Sequence, residues 1–292
     1  LGYINDSELP RVPGVFNGSV APIGARNGDL SRGVMEFCQA CEAIAAAVEE
    51  VALPLVNTRE GGTSVGIGAA QSETKLLDKV AEDAVIELLR EFGLCRTLIS
   101  EECGRIEIGG DAGTIFLDPI DGTYNALSGI PFFALSIAYA ENGQVIRGYV
   151  RDLANRETFT AERGHGARLN GAPITSSRTD LLEESAMSIY GRKFDPANVM
   201  DLGRTVRRWR LLGASALELC YVGAGRLDGF IDLRGTLRVT DAAAGMLVCS
   251  EAGGIVTDRD GSILRFPDEV RIGRCLVATN GPLHRKVVEY LR

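Results

Sequence analysis

Nowhere in the 292 residues is there an apolar run of about twenty residues, the length needed to cross a bilayer as a helix. The first thirty residues also lack the basic-then-apolar order of a secretion signal. Neither membrane insertion nor export is expected, and the chain is read as cytoplasmic. Basic residues are the minority charge, 31 Lys and Arg against 39 Asp and Glu for a net charge of −8, and they form no block. A broad grip on a nucleic-acid backbone therefore has no electrostatic basis. A small anionic substrate would need local positive charge or metal ions. Histidine is scarce, and His165 and His284 stand alone, so neither is expected as a ligand or base. The seven cysteines are odd in number and scattered through apolar segments, which is no disulfide framework and fits a reducing compartment. Cys38-Gln-Ala-Cys41 has no second CxxC and no His pair near it. Both cysteines fall on the apolar face of an expected helix and read as packing residues. Gly66-Ile-Gly68 lacks the strand and helix that a dinucleotide fingerprint requires.

What is present is ordinary globular material, 45% hydrophobic and 24% charged, enough for one large domain or two subdomains. Residues 1–33, rich in Gly, Pro, Asn and Asp, read as a flexible leader. Apolar residues at 3.6-residue spacing predict helices over Met35–Pro54 and Thr74–Phe92, the second closed by Gly93. Short strands follow at Thr97–Ser100 and Thr114–Leu117, each running into acidic residues. Segments around 132–139, 145–152 and 157–161 read as antiparallel strands joined by turns. Residues 34–180 thus form an α+β half. From 181 to 292, strands and helices alternate in α/β order, ending in a helix over Pro282–Leu291. There is no internal repeat.

The stretch Thr114-Ile-Phe-Leu-Asp-Pro-Ile-Asp-Gly-Thr123 carries the most chemistry. A strand delivers Asp118, the proline forces a turn, and Asp121 follows three residues later, so two carboxylates can converge beyond the strand end. Held a few ångströms apart they are costly without a proton or a cation, and hard oxygen donors suit Mg²⁺. The Ile120 carbonyl lies in the same turn. An Asp-Pro turn with a capping aspartate is the plain alternative. Glu101-Glu102 ends the preceding strand, and neighbours along a strand point to opposite sides, so one of them can face a shared site. Asp241 opens Ala242-Ala-Ala-Gly-Met-Leu-Val as a cap or first-turn residue, with simple helix capping as its alternative. Glu251-Ala-Gly-Gly254 reads as the exit of that helix and is assigned no chemistry.

Taken in order and with these gaps, Glu101-Glu102, Asp118-Pro-Ile-Asp-Gly-Thr123, Asp241-Ala-Ala-Ala-Gly and Glu251-Ala-Gly-Gly254 resemble the inositol monophosphatase family of Mg²⁺-dependent sugar phosphatases, from about Gly33 to the end. Asp118-Pro-Ile-Asp-Gly-Thr-Tyr-Asn-Ala126 and Leu227-Asp-Gly-Phe-Ile-Asp-Leu-Arg234 further resemble the archaeal dual fructose-1,6-bisphosphatase/inositol-1-phosphatase group. The resemblance implies a layered αβαβα sandwich with one α+β half and one α/β half. It implies a first ion held by Glu101, Asp118 and the Ile120 carbonyl, a second by Asp118, Asp121 and Asp241, and a looser third by Glu101 and waters. Mg²⁺ is the expected cofactor in two to three copies, with Mn²⁺ able to substitute. The site would act on a small phosphorylated sugar or polyol, in a homodimer. Backbone N–H groups of Gly122 and Thr123 would meet the phosphate at a helix start.

A water nucleophile needs a proton acceptor, and a hydroxyl is a poor base unless a carboxylate takes its proton onward. By the family alignment that carboxylate is Asp78, paired with Thr123. The surrounding Thr74-Lys-Leu-Leu departs from the family's usual Ala-Thr before that Asp, and the alternative for Asp78 is a solvated early-helix acid. Glu102 is a secondary candidate for orienting water. The family's sugar contacts map onto Arg210-Leu-Leu-Gly-Ala-Ser215 and onto Arg234, where an arginine replaces the carboxylate that would bind inositol hydroxyls. Arginine's planar fork suits a second phosphate, which favours a bisphosphate such as fructose 1,6-bisphosphate. Arg192 is a weaker candidate, and for each arginine a surface or packing role is the alternative. The same chemistry on a nucleotide, NADP or 3′-phosphoadenosine 5′-phosphate, is the competing enzyme reading. A non-catalytic binding module would have lost ligand carboxylates, and none is lost.

Overall fold

The computed structural model describes residues 15–17, 30–110, 112–191 and 197–291. Its helices are α1 (Leu30–Ala52), α2 (Leu76–Phe92), α3 (Thr123–Leu127), α4 (Ala197–Thr205), α5 (Ser215–Gly223), α6 (Val239–Glu251) and α7 (Gly281–Tyr290). In α2, Leu77, Ala81, Val85 and Leu89 recur at helical spacing and are fully buried. The helix stops where Gly93 takes a left-handed conformation and its N–H closes on the Leu89 carbonyl. In α1, Cys41, Ile44, Ala45, Val48 and Ala52 make the matching face. Each of these larger side chains contributes roughly 1.5–3 kcal/mol on burial.

Eight strands form the larger sheet, in the spatial order 172–173, 166–169, 157–162, 144–152, 134–141, 114–121, 97–100, 104–107. All neighbours are antiparallel except 97–100 and 114–121. The second sheet has five strands, 208–210, 186–190, 229–237, 274–280 and 254–257, with 186–190 parallel to both its neighbours. Strand alternation sorts the side chains into layers. Ile115 and Leu117 face α1 and α2, whereas Phe116 faces α5 and α6. Those two helices also cover Phe230, Leu276 and Ala278 of the smaller sheet, whose opposite face packs Ile189, Ile231 and Val277 against α4 and α7. The layers are therefore helix, sheet, helix, sheet, helix, as the resemblance implies.

The middle layer is what positions chemistry. From Val239 to Cys249 every residue of α6 is buried, so the helix must be small-sided to fit between two sheets. At Gly245 an added Cβ would lie 2.7 Å from the Leu219 Cβ and 2.8 Å from the Ala216 carbonyl oxygen of α5. Ala242-Ala-Ala-Gly245 is thus the packing surface that lets α6 drive its first turn toward the end of strand 114–121.

Several expectations need correction. Helix α1 starts at Leu30, and Val15–Asn17 pairs antiparallel with Arg265–Pro267, so the span read as a leader holds two ordered pieces. A three-residue strand is too short to show a period. The rest of residues 1–29 lies outside the described residues. Pro119 does not end its strand in a turn. The strand continues to Asp121 with a shift of register between Asp118 and Asp121, because a proline has no N–H to give the ladder and the chain bulges past it. Strand 229–237 likewise shifts register, between Asp232 and Leu237. The short strands 64–67, 73–75, 104–107, 166–169, 172–173 and 254–257 carry no clear alternation and were not expected.

Candidate active site

The bulge at Pro119-Ile120 does for the site what a turn was expected to do. Asp118 sits opposite Ser136, Asp121 opposite Ala134, and the extra residues between them set the two carboxylates at one end of the sheet. The Asp118 Oδ1 accepts the Ile120 N–H at 3.1 Å. Glu101 follows strand 97–100, the parallel neighbour, and so emerges at the same end. Asp241 arrives from the other side as the third residue of α6, where its Oδ2 accepts the Arg238 N–H at 3.1 Å. One carboxylate oxygen each from Glu101, Asp118 and Asp241 lies within 4.8 Å of the others. Asp121 stands beside them with both oxygens also engaged by the start of α5, accepting from Ser215 N at 3.1 Å and Ala216 N at 2.6 Å.

Such a cluster is electrostatically unfinished. Burial, then the charges of Glu101, Asp121 and Asp241, push the Asp118 carboxyl well above its ordinary range. Burial and Asp241 do the same to Asp121, despite the two N–H donors from α5. Glu101 is raised chiefly by burial, with the Arg238 guanidinium pulling the other way. Buried hard oxygens that resist ionisation together are the donor set a divalent cation of the Mg²⁺ type accepts. Glu101, Asp118 and Asp241, with Asp121 and the Ile120 carbonyl at the same cavity, fit that group.

Gly122 follows at φ 92°, a left-handed conformation that an L side chain rarely adopts, and an added Cβ would lie 3.0 Å from both the Ala214 Cβ and the Phe132 carbonyl oxygen. The tight passage brings α3 and Thr123 against the acidic cluster. The Thr123 hydroxyl lies 2.9 Å from the Asp78 Oδ1 and 3.0 Å from the Ile120 carbonyl oxygen. Asp78 is 4% exposed, and burial pushes its carboxyl up to about 7, against the lowering effect of the Thr123 hydrogen bond. A carboxyl poised there can take and return a proton near neutrality. Glu102 points the other way from Glu101, onto the Thr74 hydroxyl beside Gly68. It does not line the cavity.

The cavity holds about 520 Å³, and its lining includes Glu101, Asp118 and Thr123 together with Tyr190, Gly213 and Arg234. Ser215 lies along it. Arg234 is clamped: its Nη2 meets the fully buried Asp232 at 2.7 Å, its Nε reaches both Asp232 oxygens, and its guanidinium stacks 4.4 Å above the Tyr190 ring. The Tyr190 hydroxyl in turn donates to the buried Glu218, whose carboxyl burial pushes up to about 7, and accepts the Gly213 N–H at 2.8 Å. Arg210 is not brought to the cavity; it sits exposed on the edge strand 208–210. Arg192 lies outside the described residues. Two lining arginines were not singled out from sequence. Arg271 donates to the Ala69 carbonyl, and Arg238 pairs with Glu101 and Asp241. Arg238 could have been found by its position three residues before Asp241, the spacing of a capping box.

Outside the cavity, Glu251 accepts the N–H groups of Gly164 and Gly166, and both nitrogens of the buried His284 face threonine hydroxyls, Thr257 and Thr279. Cys38 and Cys41 pack on the core side of α1.

Residues 34–292 match the inositol monophosphatase family. The chain belongs to that family. A fructose-1,6-bisphosphatase/inositol-1-monophosphatase of Methanothermobacter thermautotrophicus is 39% identical over 264 residues, 85% of this chain and 94% of that one. A bifunctional NADP phosphatase/NAD kinase of Methanococcus maripaludis is 34% identical over 87% of this chain, which spans 49% of that longer protein. Among solved structures, a Pyrococcus horikoshii protein described as having similarities to inositol-1 monophosphatase superposes with a TM-score of 0.78 at 33% identity, covering 88% of this chain and 97% of that one. Membership of the inositol monophosphatase family accounts for the layered fold and for the order of the acidic motifs.

Proposed function

We propose that the chain is a Mg²⁺-dependent phosphomonoesterase that hydrolyses fructose 1,6-bisphosphate and inositol 1-phosphate by attack of water. The observation that carries this reading is one cavity with the Thr123–Asp78 pair and the acidic cluster at one end and clamped Arg234 at the other. Glu101, Asp118, Asp121, Asp241 and the Ile120 carbonyl would hold Mg²⁺, which would supply Lewis-acid polarisation of the phosphoryl group and of the attacking water. The protein's own groups do the rest. Thr123 orients the water through its hydroxyl, and Asp78 behind it holds the proton that the water loses. Backbone N–H groups at Gly122 and Thr123 receive the phosphoryl oxygens. Ser215, at the head of α5 and on the cavity lining, would contact the sugar.

Arg234 favours the bisphosphate. Its Nε and Nη2 bond to Asp232, which fixes the guanidinium plane at the cavity lining, where its other N–H groups would meet a second phosphate. The likeness to an NADP phosphatase supports a second reading, in which the distal group is a nucleotide. A homodimer belongs to the same proposal and rests on the family resemblance, and a cytoplasmic location rests on the scattered free cysteines, which fit a reducing compartment. A panel measuring phosphate released from fructose 1,6-bisphosphate, inositol 1-phosphate, NADP and 3′-phosphoadenosine 5′-phosphate decides among them. The proposal expects the bisphosphate to have the highest kcat/KM. A nucleotide leading the panel would replace it with the second reading.

A further inference from the structure

Arg238 is the one cation hydrogen-bonded directly to the acidic cluster among the described residues. It is the N-cap residue of α6, and its backbone N–H and its Nε both donate to the same oxygen of Asp241, Oδ2, each at 3.1 Å. Its Nη1 donates to the Glu101 Oε1 at 2.5 Å. The guanidinium thus bridges two of the three carboxylates whose oxygens converge, and it lines the cavity beside Asp118 and Asp241. A guanidinium stays charged at any accessible pH, so this positive charge is permanent.

Two roles are open to such a group, and they have opposite signs. An arginine that merely orients ligands raises ion affinity, and losing it costs roughly 10–100-fold. An arginine that shares the carboxylates with the ion lowers affinity, because a monovalent and a divalent cation a few ångströms apart repel each other in a partly buried site. Asp241 does not need the guanidinium for its orientation: the Arg238 backbone N–H already fixes Oδ2, and the Thr240 hydroxyl meets Oδ1 at 3.0 Å. Asp118 is likewise oriented by the Ile120 N–H. What Arg238 adds is charge on oxygens that an ion would use.

We propose that Arg238 is a resident counter-cation of the carboxylate cluster, which holds Glu101 and Asp241 together and keeps divalent ions bound loosely enough to exchange. The inference rests on the reading of this cluster as an ion site. It makes a prediction that the ion site alone does not: removing a hydrogen-bonding residue from the cluster tightens ion binding.

The test is equilibrium binding of Mn²⁺ alone, with free Mn²⁺ counted by electron paramagnetic resonance, on the full chain and on Arg238→Gln and Arg238→Lys. Arg238→Gln is expected to bind its tightest Mn²⁺ about tenfold or more tightly than the wild type. Arg238→Lys, which keeps the charge, should stay within about threefold. In chelator, Arg238→Gln should also melt at a lower temperature than the wild type, having lost the counter-charge. If it does not fold in chelator, it can be prepared with Mn²⁺ and the rate of ion loss to added chelator measured, with slower loss than wild type expected. Weaker or unchanged Mn²⁺ binding by Arg238→Gln, faster ion loss, or tightening by Arg238→Lys equal to that by Arg238→Gln would overturn the proposal. A wild type that binds no Mn²⁺ would overturn the ion site itself, which is a distinguishable failure.

Discussion

The two ends of the cavity use charge in opposite ways. At the acidic end, Glu101, Asp118, Asp121 and Asp241 bring four carboxylates together, with Arg238 the one arginine hydrogen-bonded to them among the described residues, and burial raises the carboxyls of Glu101, Asp118 and Asp121. At the far end Arg234 is matched to Asp232, stacked on Tyr190 and backed by Glu218, which itself accepts from Ser188, Tyr190 and the Leu212 N–H. One end is balanced within the chain, and the other, on the proposed reading, is completed by a divalent ion. On that reading the acidic end governs whether the enzyme turns over at all, and the arginine end governs which substrate does so best.

The comparison breaks most visibly at the ion ligands. Asp241→Asn should lower turnover by about 10³ or more while changing the unfolding midpoint little, since an amide keeps the cap to the Arg238 N–H but removes charge from the ion. Steady-state kinetics beside thermal melts checks this, and a parallel loss of both would reduce Asp241 to a helix cap. Next, Thr123→Ala and Asp78→Asn should each slow kcat by ~10²–10⁴, with the double variant little slower than either single. Multiplying effects would mean that the two do not serve one proton. At the other end, Arg234→Ala should cut kcat/KM for fructose 1,6-bisphosphate roughly tenfold to a hundredfold, the worth of a charge-assisted hydrogen bond, and affect inositol 1-phosphate much less. Both substrates must be assayed on the same preparation, because the variant also leaves buried Asp232 without its partner. The smallest effect belongs to Arg210→Ala, less than about threefold on either substrate, as its exposed position on an edge strand implies.

The acidic end was the legible one. Carboxylates at strand ends and at a helix start are written in local sequence, which offers Asp118, Asp121, Asp241 and one of Glu101 and Glu102; the choice of Glu101 and the pairing of Asp78 with Thr123 come from the family resemblance. What converges them was less visible: the bulge past Pro119 was read as a turn, because proline signals a break in the ladder without saying whether the strand resumes. The helical layers followed from period, whereas three- and four-residue strands such as 64–67 and 15–17 left no pattern to read. The arginine end was legible only as composition. Arg210 and Arg234 looked alike in sequence, yet Asp232 and Tyr190 hold one at the cavity and nothing turns the other toward it. Arg238 was passed over because its partner Glu101 is 137 residues away, a pairing that only the fold creates.

The imbalance between the two ends is tested most directly by urea unfolding between pH 4 and pH 8, in chelator and in Mg²⁺. A carboxyl raised in the folded state binds more protons there than in the unfolded chain, so stability falls as pH rises from its unfolded value near 4 to its folded value. Asp78 and Glu218, each pushed up to about 7, set that window, and Glu101, Asp118 and Asp121 add to it. The account predicts a clear loss of stability from pH 4 to pH 7 in chelator; Mg²⁺ removes the share that Glu101, Asp118 and Asp121 contribute and leaves the slope of Asp78 and Glu218, which are not ion ligands. Identical profiles with and without Mg²⁺ would contradict it.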